Sequence, residues 1–145
     1  MIERRSNQSV VLYAAIWIAM ALVVGGLTGS ANLIRYRAMA SDGIMSTGLV
    51  LSLEPTNHQT VRYSYRVGDT TYKGFSNVGF GNRSFESLRV GDSVTVYYRA
   101  SDPAVSLLGD PAARLSNEIE SVTGATLLLP TMLVGMIVVR RRSRR

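Results

Sequence analysis

The sequence predicts a membrane protein of mixed α+β class, in which two transmembrane helices flank a small antiparallel β domain of barrel or sandwich-like form. Three observations predict it. Two uncharged apolar runs stand near the ends of the 145-residue chain. Between them, short segments alternate apolar and polar residues with period two, separated by glycine-rich turns. The net charge of +6 resides outside this middle region, because basic and acidic residues balance from Ile34 to Ser121.

Residues 1–9 form a cytoplasmic tail carrying Arg4 and Arg5. Residues 10–34 form the first transmembrane helix. Val10 to Leu27 is apolar, no charge follows until Arg35, and about 20 apolar residues cross a bilayer core. A cleavable leader with Gly29-Ser30-Ala31 as its cleavage region is the rival reading, but the run exceeds the roughly 7–15 residues of a leader's apolar core. Ala21, Gly25 and Gly29 recur every four residues, a spacing that lets helices pack closely. The second helix is the default partner and a homo-oligomer the alternative.

Residues 35–120 form the domain, with its β core at about 44–110 and a helical stalk at about 111–120. Asp110-Pro111 reads as an N-cap followed by proline in the first helical position. The first helix is expected to run past Arg37 until Gly43 stops it. Residues 121–139 form the second transmembrane helix, with Pro130 inside it. Residues 140–145 are a basic tail, and Arg140, Arg141, Arg142, Arg144 and Arg145 are the strongest topogenic signal. The positive-inside rule places both termini in the cytoplasm and residues 35–120 outside, in a multi-pass protein of the cytoplasmic (inner) membrane. The lipid bilayer is the first partner.

Within the domain, Thr47 to Leu53 alternates and puts Leu49, Leu51 and Leu53 on one face. Val61, Tyr63, Tyr65 and Val67 point inward on the next strand. Gly68-Asp69 makes a two-residue hairpin turn, which sets Tyr65 opposite Tyr72 and Tyr63 opposite Gly74. Val94, Val96 and Tyr98 form one face of a later strand after the Val90-Gly91-Asp92 turn. Val105 to Leu108 is a final short strand. Ser76 to Ser84 reads as a loop, where Phe80, Asn82 and Arg83 are the candidate partner contacts.

The stretch VGDSVTVYYRASDPAVSLL, Val90 to Leu108, resembles the DUF3592 family of bacterial membrane proteins. Gly91-Asp92, the Val94-to-Tyr98 strand, Asp102-Pro103 and Leu107 occupy the places of the family's motif. Arg99-Ala100 depart from it, standing where the family has Asp-Pro. Tyr63-Ser64-Tyr65 and Tyr72-Lys73-Gly74 match its upstream hairpin. The resemblance implies a membrane protein with an extracytoplasmic β domain and implies no activity. Under it, Tyr97, Tyr98 and Pro103 are packing residues.

The chemistry-bearing residues are sparse. There is no cysteine and a single histidine, His58, so thiolate sites and disulfides are excluded. No carboxylate or histidine cluster with metal-ligand spacing occurs, nor a phosphate loop. Neither apolar run holds an ionisable residue that would mark an ion path. The basic residues flank apolar runs rather than spreading over a folded face among aromatics, so nucleic acid is not expected. The sequence thus predicts no enzyme, catalytic residue, metal or cofactor. It predicts a membrane-anchored module that binds a membrane or envelope protein. An immunity-type or accessory subunit is the second reading, and a hydrolase using His58 with a serine the third.

Overall fold

The computed structural model describes residues 2–143. Helix α1 spans Ile2–Asp42 and is followed by β1 Gly43–Glu54, β2 Thr60–Val67 and β3 Thr70–Asn77. A short 3-10 turn at Phe85–Ser87 precedes β4 Ser93–Arg99, β5 Ser106–Leu108 and α2 Pro111–Arg142. The chain divides into two units. One, the helical unit, takes its described residues from 2–32 and 118–143, and the other is Leu33–Asn117.

In the helical unit, Val10–Gly29 and the apolar part of Pro111–Arg141 are long and apolar enough to cross a membrane. Almost no residue of these apolar stretches is fully buried: 0% of the first and 6% of the second. Leu22 is 73% and Leu27 82% exposed. The two helices meet in antiparallel order. Tyr13 accepts a hydrogen bond from Arg141 at 3.1 Å, Trp17 Nε1 donates to Thr131 Oγ1 at 3.0 Å, and Asn32 donates to Glu118 at 3.1 Å. Helix α2 continues unbroken past Pro130.

The boundaries of the β unit follow local chemistry. α1 ends at Asp42, and β1 starts at Gly43, where an added Cβ would collide with the Met39 carbonyl. α2 starts at Pro111, which has no N–H to leave unsatisfied. Asp110 Oδ1 accepts the Ala112 N–H at 2.9 Å, so the cap expected there forms.

The five strands form one antiparallel sheet in the order β3-β2-β1-β4-β5. The β2–β3 register pairs Tyr65 with Tyr72 and Tyr63 with Gly74 across the Gly68-Asp69 turn, as the alternation predicts. Val61, Tyr63, Tyr65, Val94, Val96, Leu88 and Leu108 build the core, and Val67 and Tyr98 pack against it. The expected barrel or sandwich is realised only in part. Among the described residues there is a single layer and no sandwich, and its curl brings β3 and β5 close without a ladder between them.

Small residues permit that curl. A Cβ on Gly48 would lie 2.6 Å from Val96 Cγ2, and one on Gly74 would lie 2.6 Å from Ser106 Oγ. Strand β1 also contains a bulge between Val50 and Ser52. A bulge bends the strand and reverses the side-chain alternation beyond it. This corrects the reading of β1. Leu49 and Leu51 are exposed, Val50 is buried, and only Leu53, beyond the bulge, packs against the core.

Candidate functional site

The loop after β3 is tied into its own domain. Phe80 adopts φ of 53°, and its carbonyl accepts the Asp110 N–H at 2.7 Å. The Arg114 guanidinium sits 4.6 Å from its ring centroid. Asn82 bonds reciprocally with the backbone of Thr95: Nδ2 donates to the carbonyl at 3.0 Å, and Oδ1 accepts the N–H at 2.7 Å. Arg83 pairs with Asp92 at 2.8 Å and stays largely exposed. Of the three candidate contact residues, Phe80 and Asn82 therefore use their binding groups internally, while Arg83 reaches solvent.

The small-residue ladder of α1 lies along the helix pair. Gly29 is buried, and a Cβ added at Gly25 would meet Thr126 Oγ1 at 3.2 Å. That hydroxyl is buried without a hydrogen-bond partner. Among the topogenic arginines, Arg141 also lies over the Tyr13 ring at 5.7 Å. Arg144 and Arg145 lie outside the described residues.

Two polar clusters escaped the sequence reading. The first centres on Arg114, which is 7% exposed. Its Nε donates to the Leu108 carbonyl at 2.8 Å and its Nη2 to the Asn77 carbonyl. Burial lowers the pKa of this guanidinium, and its interactions with Tyr36 oppose that. Two carbonyls, a phenol and the Phe80 ring thus replace water around a cation that has no carboxylate partner among the described residues. This is how a lone arginine is tolerated inside a fold. It joins the end of β3, the loop, β5 and the first turn of α2.

The second cluster lies where β3 approaches β5. Tyr63 Oη and Ser106 Oγ are 3.0 Å apart in the core, and Arg35 Nη2 donates to the Ser106 carbonyl at 3.2 Å. Burial pushes the Tyr63 phenol up to about 12, against the pull of the Ser106 hydrogen bond. Tyr65 is likewise raised, chiefly by burial. Its hydroxyl donates to the Pro103 carbonyl at 2.5 Å, and its ring stacks on Tyr72 and Tyr98. Above the Tyr63–Ser106 contact opens a cleft of about 320 Å³, lined by Arg35, Lys73, Gly74, Phe75, Ala104, Val105 and Ser106. Neither cluster is visible locally in the sequence, because its members lie up to 78 positions apart in the first (Tyr36 to Arg114) and 71 in the second (Arg35 to Ser106). The one local hint is a serine, Ser106, inside the apolar run Val105 to Leu108.

His58 is exposed in the β1–β2 turn, where its carbonyl accepts from Asn77 at 2.5 Å. Among the described residues, no group of three or more His, Cys, Asp or Glu side chains could hold a metal ion. Residues 44–113 match the family model described as a domain of unknown function, DUF3592. The match contains both the Val90–Leu108 and the Tyr63–Gly74 motifs. No curated protein and no solved structure matches the chain.

Proposed function

With residues 44–113 matching DUF3592, we propose that the protein is a membrane-anchored, non-enzymatic interaction module. Its two helices cross the cytoplasmic membrane, its termini lie in the cytoplasm, and residues 35–120 stand outside. There the β domain binds a protein of the envelope. The exposure of the helical unit carries the anchoring. Apolar patches above a few hundred Å² are rare on soluble monomers, whereas both helices present leucine, isoleucine and valine outward along their length, and α2 methionine as well. The arginines at both ends supply the orientation.

The binding surface is the outward side of the sheet. Leu49, Leu51 and Phe75 are exposed there, with Phe75 at 65%, and Leu51 and Phe75 line one shallow recess with Arg62 and Lys73. Aromatic residues, phenylalanine included, and arginine are enriched in protein interfaces.

A single-cysteine experiment tests the anchoring in this naturally cysteine-free chain. Ser101→Cys should react with a membrane-impermeant thiol reagent before lysis, and Ser143→Cys only after it. The reverse pattern would place the domain in the cytoplasm and sink the reading. A photo-crosslinker at Leu49 should then capture one dominant membrane or envelope protein, and Phe75→Ser should reduce that capture.

A further inference from the structure

The cleft between β3 and β5 joins two cations without an anion. Arg35 reaches it from the end of α1, and Lys73 reaches it from β3. Neither is in an ion pair among the described residues, whose three salt bridges are Arg62–Glu54, Arg83–Asp92 and Arg99–Asp42. No Asp or Glu lines the cleft.

Arg35 spends one donor on the Ser106 carbonyl, which orients the guanidinium and leaves most of its five N–H groups free. Ser106 is itself held from beneath by Tyr63, so the floor is built by buried, mutually bonded groups. Gly74 lies so close to Ser106 that a Cβ there would not fit.

Those facts decide what kind of ligand fits. An added peptide strand would need about 4.8 Å of spacing from each sheet edge, and β3 and β5 already approach within 8 Å, Cα to Cα, which denies it that room. A compact oxyanion needs no such room. The volume of about 320 Å³ is many times the roughly 10–15 Å³ that admits one water on the same measure, so a phosphate group with part of its hydration shell fits. An arginine fork beside a lysine point charge is a suitable donor set for phosphate, and a cleft lined by one sign of charge concentrates the opposite sign.

We propose that the cleft between β3 and β5 is a binding site for a phosphate oxyanion, held by the Arg35 guanidinium and the Lys73 ammonium. The phosphate is either that of an anionic lipid headgroup or a small dissolved phosphate. Arg35 is the first charged residue after the apolar run of residues 10–34, which brings the lipid source into consideration. The site stands on its own residues and does not depend on the orientation proposed above.

The test uses the full chain in maltoside micelles, whose headgroups carry no phosphate. The unfolding midpoint of the β domain, followed through its tyrosines in near-ultraviolet circular dichroism, is measured across an inorganic phosphate titration with ionic strength held constant by chloride. A second series adds phosphatidylglycerol to the micelles. A ligand that binds only the folded state raises the midpoint in a saturable way.

The wild type should show such a rise. Lys73→Gln should weaken half-saturation about tenfold through loss of one charge-assisted contact, and Lys73→Gln with Arg35→Gln should abolish the rise. Arg66→Gln, which removes an exposed cation outside the cleft, should leave it intact. A rise with phosphatidylglycerol and little with inorganic phosphate identifies a lipid headgroup, and the opposite identifies a dissolved phosphate. No saturable rise with either, or a rise that Lys73→Gln retains in full, overturns the proposal. The Lys73 side chain is exposed and makes no hydrogen bond or ion pair among the described residues, so its variant tests binding without testing folding.

Discussion

The helical unit and the β unit use the same kinds of side chain in opposite ways. In the helical unit, Leu22, Leu27 and Leu128 point away from protein, and the polar contacts Trp17–Thr131 and Asn32–Glu118 join the helices. In the β unit, Val61, Tyr63 and Val96 are fully buried, and charged residues such as Arg62 and Arg66 lie outside. Burial from water drives the second arrangement. In the membrane position proposed for the helices it would not drive the first, because lipid tails are as apolar as leucine and helices in lipid associate through close packing and hydrogen bonds. Residue type alone therefore does not say which way a side chain faces. The surrounding solvent decides it.

The contrast can be broken most severely in the β core. Tyr63→Ala should destabilise the domain by about 3–5 kcal/mol, the usual range for emptying a buried aromatic site, with the Ser106 hydroxyl left unpaired as well. Denaturant unfolding of the full chain in micelles, read through tyrosine circular dichroism, measures this. Arg114→Ala should follow, at about 2–4 kcal/mol, because two carbonyls lose charge-assisted donors and the Phe80 ring loses its cation. The same variant should free the loop, seen as faster amide exchange from Gly79 to Asn82.

Alkali offers a third route. Tyr63 has a folded pKa near 12, against about 10 for an exposed tyrosine. The folded state therefore holds the proton more tightly, and the resulting stability is present in full below pH 10. It is lost as pH rises through 12, on the order of 3 kcal/mol in total. Tyr63→Phe should flatten that alkaline decline relative to wild type, and an unchanged slope would show that another group titrates.

Asn82→Ala should cost about 1–2 kcal/mol through its two bonds to Thr95. At the small end, Leu22→Ala should change stability in micelles by no more than about 0.5 kcal/mol, as surface substitutions do. A cost comparable to that of Tyr63→Ala would mean that Leu22 packs against protein and would break the comparison.

Much of this was legible in the chain. The two apolar runs are contiguous, so a window over neighbouring residues finds them. The β2–β3 register follows from alternation and a two-residue turn, which are equally local. The proline start of α2 and the glycine at its opposite number, the end of α1, act through their own backbone. Strand β1 shows where such reading stops. Its leucines alternate as the pattern says, yet the bulge at Leu51 sends Leu49 and Leu53 to different sides, and nothing in Leu49-Val50-Leu51-Ser52 announces an extra residue.

The sequence by itself determined the order of the elements, the separation of two lipid-compatible segments from a β domain, and the inward set Val61, Tyr63, Tyr65 and Val67, because each rests on interactions among residues close along the chain. Tertiary structure alone decided that the sheet curls as one open layer, that Phe80 and Asn82 turn back onto their own domain, and that Arg35, Lys73, Tyr63 and Ser106 meet at one seam. Those outcomes depend on which distant groups satisfy one another's hydrogen bonds and fill one another's space once water is excluded. A buried cation such as Arg114 takes its place from carbonyls that only the folded chain brings together.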